Sequence, residues 1–91
     1  MEESGDIENF VVLAVAEVTQ LSPEDLWNKR GANVFQEFGL DELLALEIVE
    51  SLEHRYRIQV PEERIGEITS VDGTVALVKD ILLRAGSSAA S

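Results

Sequence analysis

Cysteine is absent from the 91 residues, which rules out disulfides, thiolate metal sites and a cysteine nucleophile together. Cations are scarce: Lys and Arg number 7 against 18 Asp and Glu, a formal net charge of -11 with the single histidine neutral. Such an excess repels phosphate backbones and acidic membrane faces, so nucleic acid is not an expected ligand. It favours partners with Lys/Arg patches, steering them over a Debye length of about 8 Å at physiological salt. Long apolar runs are missing too. The longest, Phe10 to Ala16, is too short to cross a bilayer. Met1-Glu2-Glu3-Ser4-Gly5-Asp6 is acidic where a secretory signal is basic, so a cytoplasmic protein is expected. His54, with no thiol to join it, gives no metal site and is read as a surface side chain. Nor does a nucleophile, base and orienting residue occur in combination, so the chain is not expected to be an enzyme.

What is present suffices for one domain. A chain of this length buries roughly 60 to 70 per cent of its unfolded surface, enough for one modest core. The sequence predicts a domain over residues 1–85 and a flexible tail over 86–91, small and polar from Gly86 onward. Ile7, Phe10, Val11, Ala14, Val18 and Leu21 form a helical stripe, with Asp6 placed to cap it and Glu8 in the first turn. That helix is expected to end near Gln20. Ser22-Pro23-Glu24-Asp25 has a cap residue, proline at the first helical position and acids after it, but Lys29 to Asn33 soon interrupts. One turn and a long loop are predicted there, the loop anchored to the core by Val34, Phe35 and Phe38, with Trp27 as a partial core anchor beside it.

A second long helix is predicted from Asp41, acting as the cap, to Tyr56. At 100° per residue, Ala45, Ile48, Val49, Leu52 and Tyr56 share a core face, while Leu43, Glu47, Glu50 and His54 share the opposite, solvated one. Arg57-Ile58-Gln59-Val60 alternates like a strand, but Pro61 ends it and nothing elsewhere could pair with it, so an extended connection is expected. Glu62 to Ile68 predicts a short helix weakened by Gly66. Ser70 is placed to cap a last helix carrying Val71, Val75, Val78 and Leu82. Adjacent carboxylates at Asp41 and Glu42, and at Glu62 and Glu63, point about 100° apart on a helix and form no acid/base pair, only a weak site for divalent cations.

Phe38-Gly39-Leu40-Asp41-Glu42-Leu43, Leu46-Glu47-Ile48-Val49, Leu52-Glu53, Tyr56-Arg57-Ile58-Gln59-Val60-Pro61 and Thr69-Ser70-Val71 follow one another at fixed offsets. This order resembles the acyl carrier proteins of fatty-acid and polyketide synthesis over about Ile7 to Leu83. The family's pattern is Gly, any residue, Asp-Ser-Leu, a helix with Leu-Glu near its end, an aromatic, and Ile-x-Ile/Val-Pro. The resemblance implies an all-α four-helix bundle of three longer helices and one short one. It implies a protein that tethers growing acyl chains as thioesters on a 4'-phosphopantetheine arm and presents them to partner enzymes. Ketosynthases, acyltransferases and phosphopantetheinyl transferases are the partner types implied, and a monomer is expected.

The arm's serine is replaced here by Glu42. Attachment needs a hydroxyl that can attack the pyrophosphate of coenzyme A and leave a stable phosphodiester, whereas a carboxylate could give only a labile mixed anhydride. As written the chain is expected to carry no cofactor; a form with Glu42→Ser would carry the arm. Either the natural chain lost its attachment residue or a serine has been exchanged for glutamate. Ser51, in Glu50-Ser51-Leu52, lies mid-helix without the preceding glycine and is not read as an attachment site. The resemblance carries docking roles onto Asp41, Glu47 and Glu53 as acids and Leu43 and Leu46 as apolar contacts. Glu50 joins the acidic face although the family often has an apolar residue there, while Leu44 and His54 stand where acids are common. A non-carrying interaction or regulatory module on the same fold is the alternative.

Overall fold

The computed structural model describes the chain from Ser4 to Ala90, with side chains from Gly5 to Arg84. Its long helices are α1 (Ser4–Thr19), α4 (Leu44–Tyr56) and α5 (Val71–Ala90). Two short helices, α2 (Pro23–Asn28) and α3 (Val34–Glu37), lie in the first connection, and a 3-10 helix, η1 (Glu62–Glu67), precedes α5. No strand occurs among the described residues; the connection expected to be extended from Arg57 instead has Arg57 in a left-handed conformation that closes α4.

Helix α1 is central: it packs against both α4 and α5, α2 leans on it, and η1 bridges α4 and α5. Phe10 meets Tyr56 edge to face at 5.5 Å between ring centroids, while Val15 and Ile48 line one crevice, so α1 and α4 run antiparallel. The core is aliphatic, built from Val11, Val12 and Val15 of α1, Ile48 and Leu52 of α4, and Val71, Leu77 and Val78 of α5. Fully burying one such side chain stabilises by about 1.5–3 kcal/mol. Between the helices, Leu26, Val34, Phe35, Val60 and Ile68 are buried, and Trp27 and Phe38 pack partly against the same core. The loop anchors are therefore in place.

Several boundaries differ from expectation. Asp6 lies inside the first turn of α1, which begins at Ser4, and so it complements the helix dipole instead of capping it. The long loop contains α3, because the Asn33 side chain accepts hydrogen bonds from the Phe35 and Gln36 amides. The short helix before α5 has 3-10 geometry over Glu62–Glu67, with no side-chain cap. The last helix is capped as expected, Ser70 Oγ accepting from Gly73 N at 2.9 Å. It continues through 86–90, where a tail was expected; alanine, the best helix former, fills 89 and 90, and Ser91 lies outside the described residues.

Two arginines clasp the bundle. Arg30, in the loop after α2, donates to Asp72 Oδ1 at 2.6 Å and to Glu8 Oε2 at 2.7 Å, and its guanidinium sits 4.8 Å from the Trp27 ring centroid. Hydrogen bonds to Asp72 first and Glu8 second hold its pKa above the ordinary arginine value. Arg64 of η1 donates to Glu67 and to Asp80. Both carboxyls are held below their ordinary values by that arginine, Asp80 with help from Arg84. Main-chain bonds reinforce the first clasp: Asp72 N donates to Arg30 O at 2.9 Å, and Val34 N to Thr69 O at 2.8 Å.

Candidate functional site: the turn before α4 and its outer face

The turn that leads into α4 is aimed by what precedes it. Phe35 is buried and Phe38 half-buried, fixing α3 to the core. Gly39 follows with φ 65°, a left-handed conformation that glycine adopts without Cβ strain. Leu40 N then donates to Phe35 O at 2.8 Å, closing the helix end as a Schellman motif. Asp41, Glu42 and Leu43 are thereby carried out into solvent, and all three are exposed.

Sequence reasoning put the helix start at Asp41, three residues early. Asp41 Oδ1 accepts from Leu43 N at 2.9 Å, and Leu44, Ala45 and Leu46 donate three residues back, to the carbonyls of Asp41, Glu42 and Leu43. Bonds of that span tighten the chain to 3-10 geometry before it relaxes into α4 at Leu44. Asp41 still satisfies an orphan amide, from within the preceding turn. The arrangement also has a chemical consequence: the amides of Leu43 to Leu46 are already occupied. The entrance of α4 thus offers none of them to an anion beside residue 42.

The Glu42 carboxylate makes no hydrogen bond or ion pair among the described residues. No serine substitutes for it. Ser51 is half-buried and lies about 13 Å further along at 1.5 Å rise per residue, while Ser22 and Ser70 cap α2 and α5. A phosphopantetheine arm does not fit the residues present, since the position that would bear it ends in a carboxylate.

Along α4 the core face is Ala45, Ile48, Val49 and Leu52, all buried, with Tyr56 half-buried. Opposite them Glu47, Glu50 and His54 are exposed, as are Leu43 at 68% and Leu46 at 49%. No cation pairs with Asp41, Glu42, Glu47 or Glu50 among the described residues; the nearby Lys29 is held by Glu37 at 3.2 Å. Glu53 differs from the others assigned to this face. It is half-buried, and its Oε2 accepts from Val60 N at 2.8 Å, so it secures the connection after α4. Nothing in the local pattern signals this, because the bond depends on how the chain turns back after Arg57.

Behind the site Val15, Val34, Ile48, Ile68 and Val71 line a crevice with Thr69, Ser70 and Thr74 that leaves no room for a water molecule. No group of three or more potential metal ligands occurs among the described residues. No helix among them is long and apolar enough to cross a membrane.

Three long helices, a short 3-10 helix before the last, and a glycine turn that projects residue 42 define an all-α carrier domain of the acyl-carrier type. The chain matches the phosphopantetheine attachment site family over residues 9–78, which spans most of its length, and it belongs to that family. Members are non-catalytic carriers, not enzymes, and their natural form bears 4'-phosphopantetheine.

Proposed function

We propose that the protein is an acyl-carrier-type partner in a fatty-acid or polyketide-type assembly line, acting in the cytoplasm as a monomer, and that with Glu42 it carries no arm. It presents the outer face of α4 to biosynthetic enzymes with basic docking patches, of the ketosynthase, acyltransferase and phosphopantetheinyl transferase types. Asp41, Glu47 and Glu50 supply the charge and Leu43 and Leu46 the apolar contact. The supporting observation is the exposed turn at 41–43 leading into an acidic face with no cation paired to it among the described residues. Glu53 contributes through the fold, its carboxylate being engaged with Val60 N. A non-carrying interaction module on the same fold is the second reading, favoured by the missing hydroxyl at residue 42, whatever the origin of that glutamate.

Restoring the hydroxyl separates the two. Glu42→Ser, incubated with coenzyme A, magnesium and a broad-specificity phosphopantetheinyl transferase, should gain the mass of one arm. The Glu42 protein should gain nothing, and Ser51→Ala in the restored variant should change nothing. A folded Glu42→Ser protein that stays unloaded would move the assignment to the interaction module. Loading of the Glu42 protein would overturn the position of the arm.

A further inference from the structure

Charge is not spread evenly along the exposed stripe of α4. The turn before it carries Asp41 and Glu42 and its first half Glu47 and Glu50, all exposed. Past Glu50 no acid faces outward. The next outward positions on the stripe are His54 and then Arg57, both exposed, and the one carboxylate in between, Glu53, is turned in to Val60 N. Arg55 lies off the stripe, over the Phe10 and Tyr56 rings at 5.6 Å from each centroid. Arg57 closes the helix with φ 54° and ψ 49°, its amide still bonded to Glu53 O, and it makes no ion pair among the described residues. Its Cα thus continues the helical path while the backbone turns away beneath it.

Resting on the docking role proposed for this face, we propose that the face has a direction: it fits a partner protein with Lys/Arg opposite the Asp41–Glu50 half and a carboxylate opposite Arg57. The two ends act independently. Glu47 and Arg57 are about 15 Å apart along the axis, roughly two Debye lengths at physiological salt, so a partner meets each end separately. Charge of one sign attracts a partner in many registers; opposite signs at two ends also reject the reversed and shifted ones. The exposed Leu43 and Leu46 lie at the acidic end, so fixing the register places the apolar contact beside residue 42. A two-ended face could also pair with a second copy of itself head to tail. A net charge of -11 on each chain opposes that, and the occupant is taken to be a different protein.

The test uses the full chain and two helical peptide probes of identical composition, one with its Lys in the first half and Glu in the second, the other alternating them. The segregated probe should bind more tightly at low salt, by roughly two- to fivefold, the size expected of one or two exposed ion pairs. Amide shifts on titration should appear near both Glu47 and Arg57. Arg57→Glu, checked for an unchanged helical spectrum, should abolish the preference while retaining binding of a Lys-only peptide. Equal binding of the two probes, or a preference that survives in Arg57→Glu, would overturn the directional reading. A dimer in sedimentation, abolished by Arg57→Glu, would give the face to a second copy and also overturn it. Loading of Glu42→Ser reports on the carrier role separately, so either result can fail while the other stands.

Discussion

The two Arg clasps and the outer face of α4 use the same residue types to opposite ends. At the clasps a few cations tie acids from distant parts of the chain: Arg30 joins Glu8 of α1 to Asp72 of α5, and Arg64 joins η1 to Asp80 of α5. On α4 and the turn before it, Asp41, Glu42, Glu47 and Glu50 face solvent with no cation within ion-pairing distance among the described residues. The chain has few Lys and Arg, and those near the bundle's seams are placed where they hold elements together. Part of the excess of acid is left on the turn and helix face around residue 42. Scarce cations at the seams therefore indicate architecture, and the acids left without them on the α4 face are the ones the proposed docking role uses.

The contrast can be broken from either side. Arg30→Ala carries the largest expected effect on stability: it cuts the link between α1 and α5 and the contact over Trp27. A loss of about 1 kcal/mol is expected, because the guanidinium is about a third exposed and its pairs are screened. Urea unfolding measures it, and an unmoved midpoint would show that main-chain bonds alone hold that seam. Arg64→Leu has a smaller effect with a definite pH signature. Glu67 and Asp80 have folded pKa values below their ordinary ones, so their pairing stabilises the fold above the unfolded values and is lost as pH falls through the folded ones. The wild type should melt above the variant from neutral pH down to about pH 4, the ordinary carboxylate range, with the gap closing below it. A gap that persists at low pH would assign Arg64 to packing instead.

The smallest effect belongs to the face. Glu47→Lys with Glu50→Lys should leave stability within about 0.5 kcal/mol, with a slight gain at low salt as self-repulsion eases. Association with a basic partner should slow, because exposed charges act chiefly on encounter. Melting curves at two salt concentrations test the first part; a clear loss of stability would mean that these acids hold structure. Glu53 is unsuitable for this purpose, since reversing it would also break the bond to Val60 N.

Periodicity and caps made the long helices legible: Ser70 caps α5, and the α4 core face is the one the spacing indicates, but in α1 and α5 the buried Val12, Val15 and Leu77 lie beside the expected stripes, because these helices touch more than one neighbour. The glycine of the motif before α4, Gly39, takes a φ of 65° that a residue with a Cβ would adopt only with strain. The clasps were not legible. Arg30 lies in a segment that reads as an interruption, and its partner Asp72 is 42 residues away; no window of local pattern connects them. Glu53 is hidden for a related reason, since an acid one turn from Glu50 on a solvated helix gives no sign that a later amide will reach it. Left-handed Gln20 and Arg57 escaped because neither is the glycine or asparagine that marks such a helix end.

The two main-chain bonds at the base of the loop also bear on how the molecule opens. Val34 to Thr69 and Asp72 to Arg30 join the start and the end of the segment that contains α3, the turn at residue 42, α4 and η1. The two bonds form a neck at the base of that segment, while α4 within it also packs against α1. An opening that releases the neck would expose the amides of Val34 and Asp72 together, although they belong to different helices. Their hydrogen-exchange rates should therefore coincide and follow each other across mutations. The face proposed for docking would then lie on a segment whose two ends are released together.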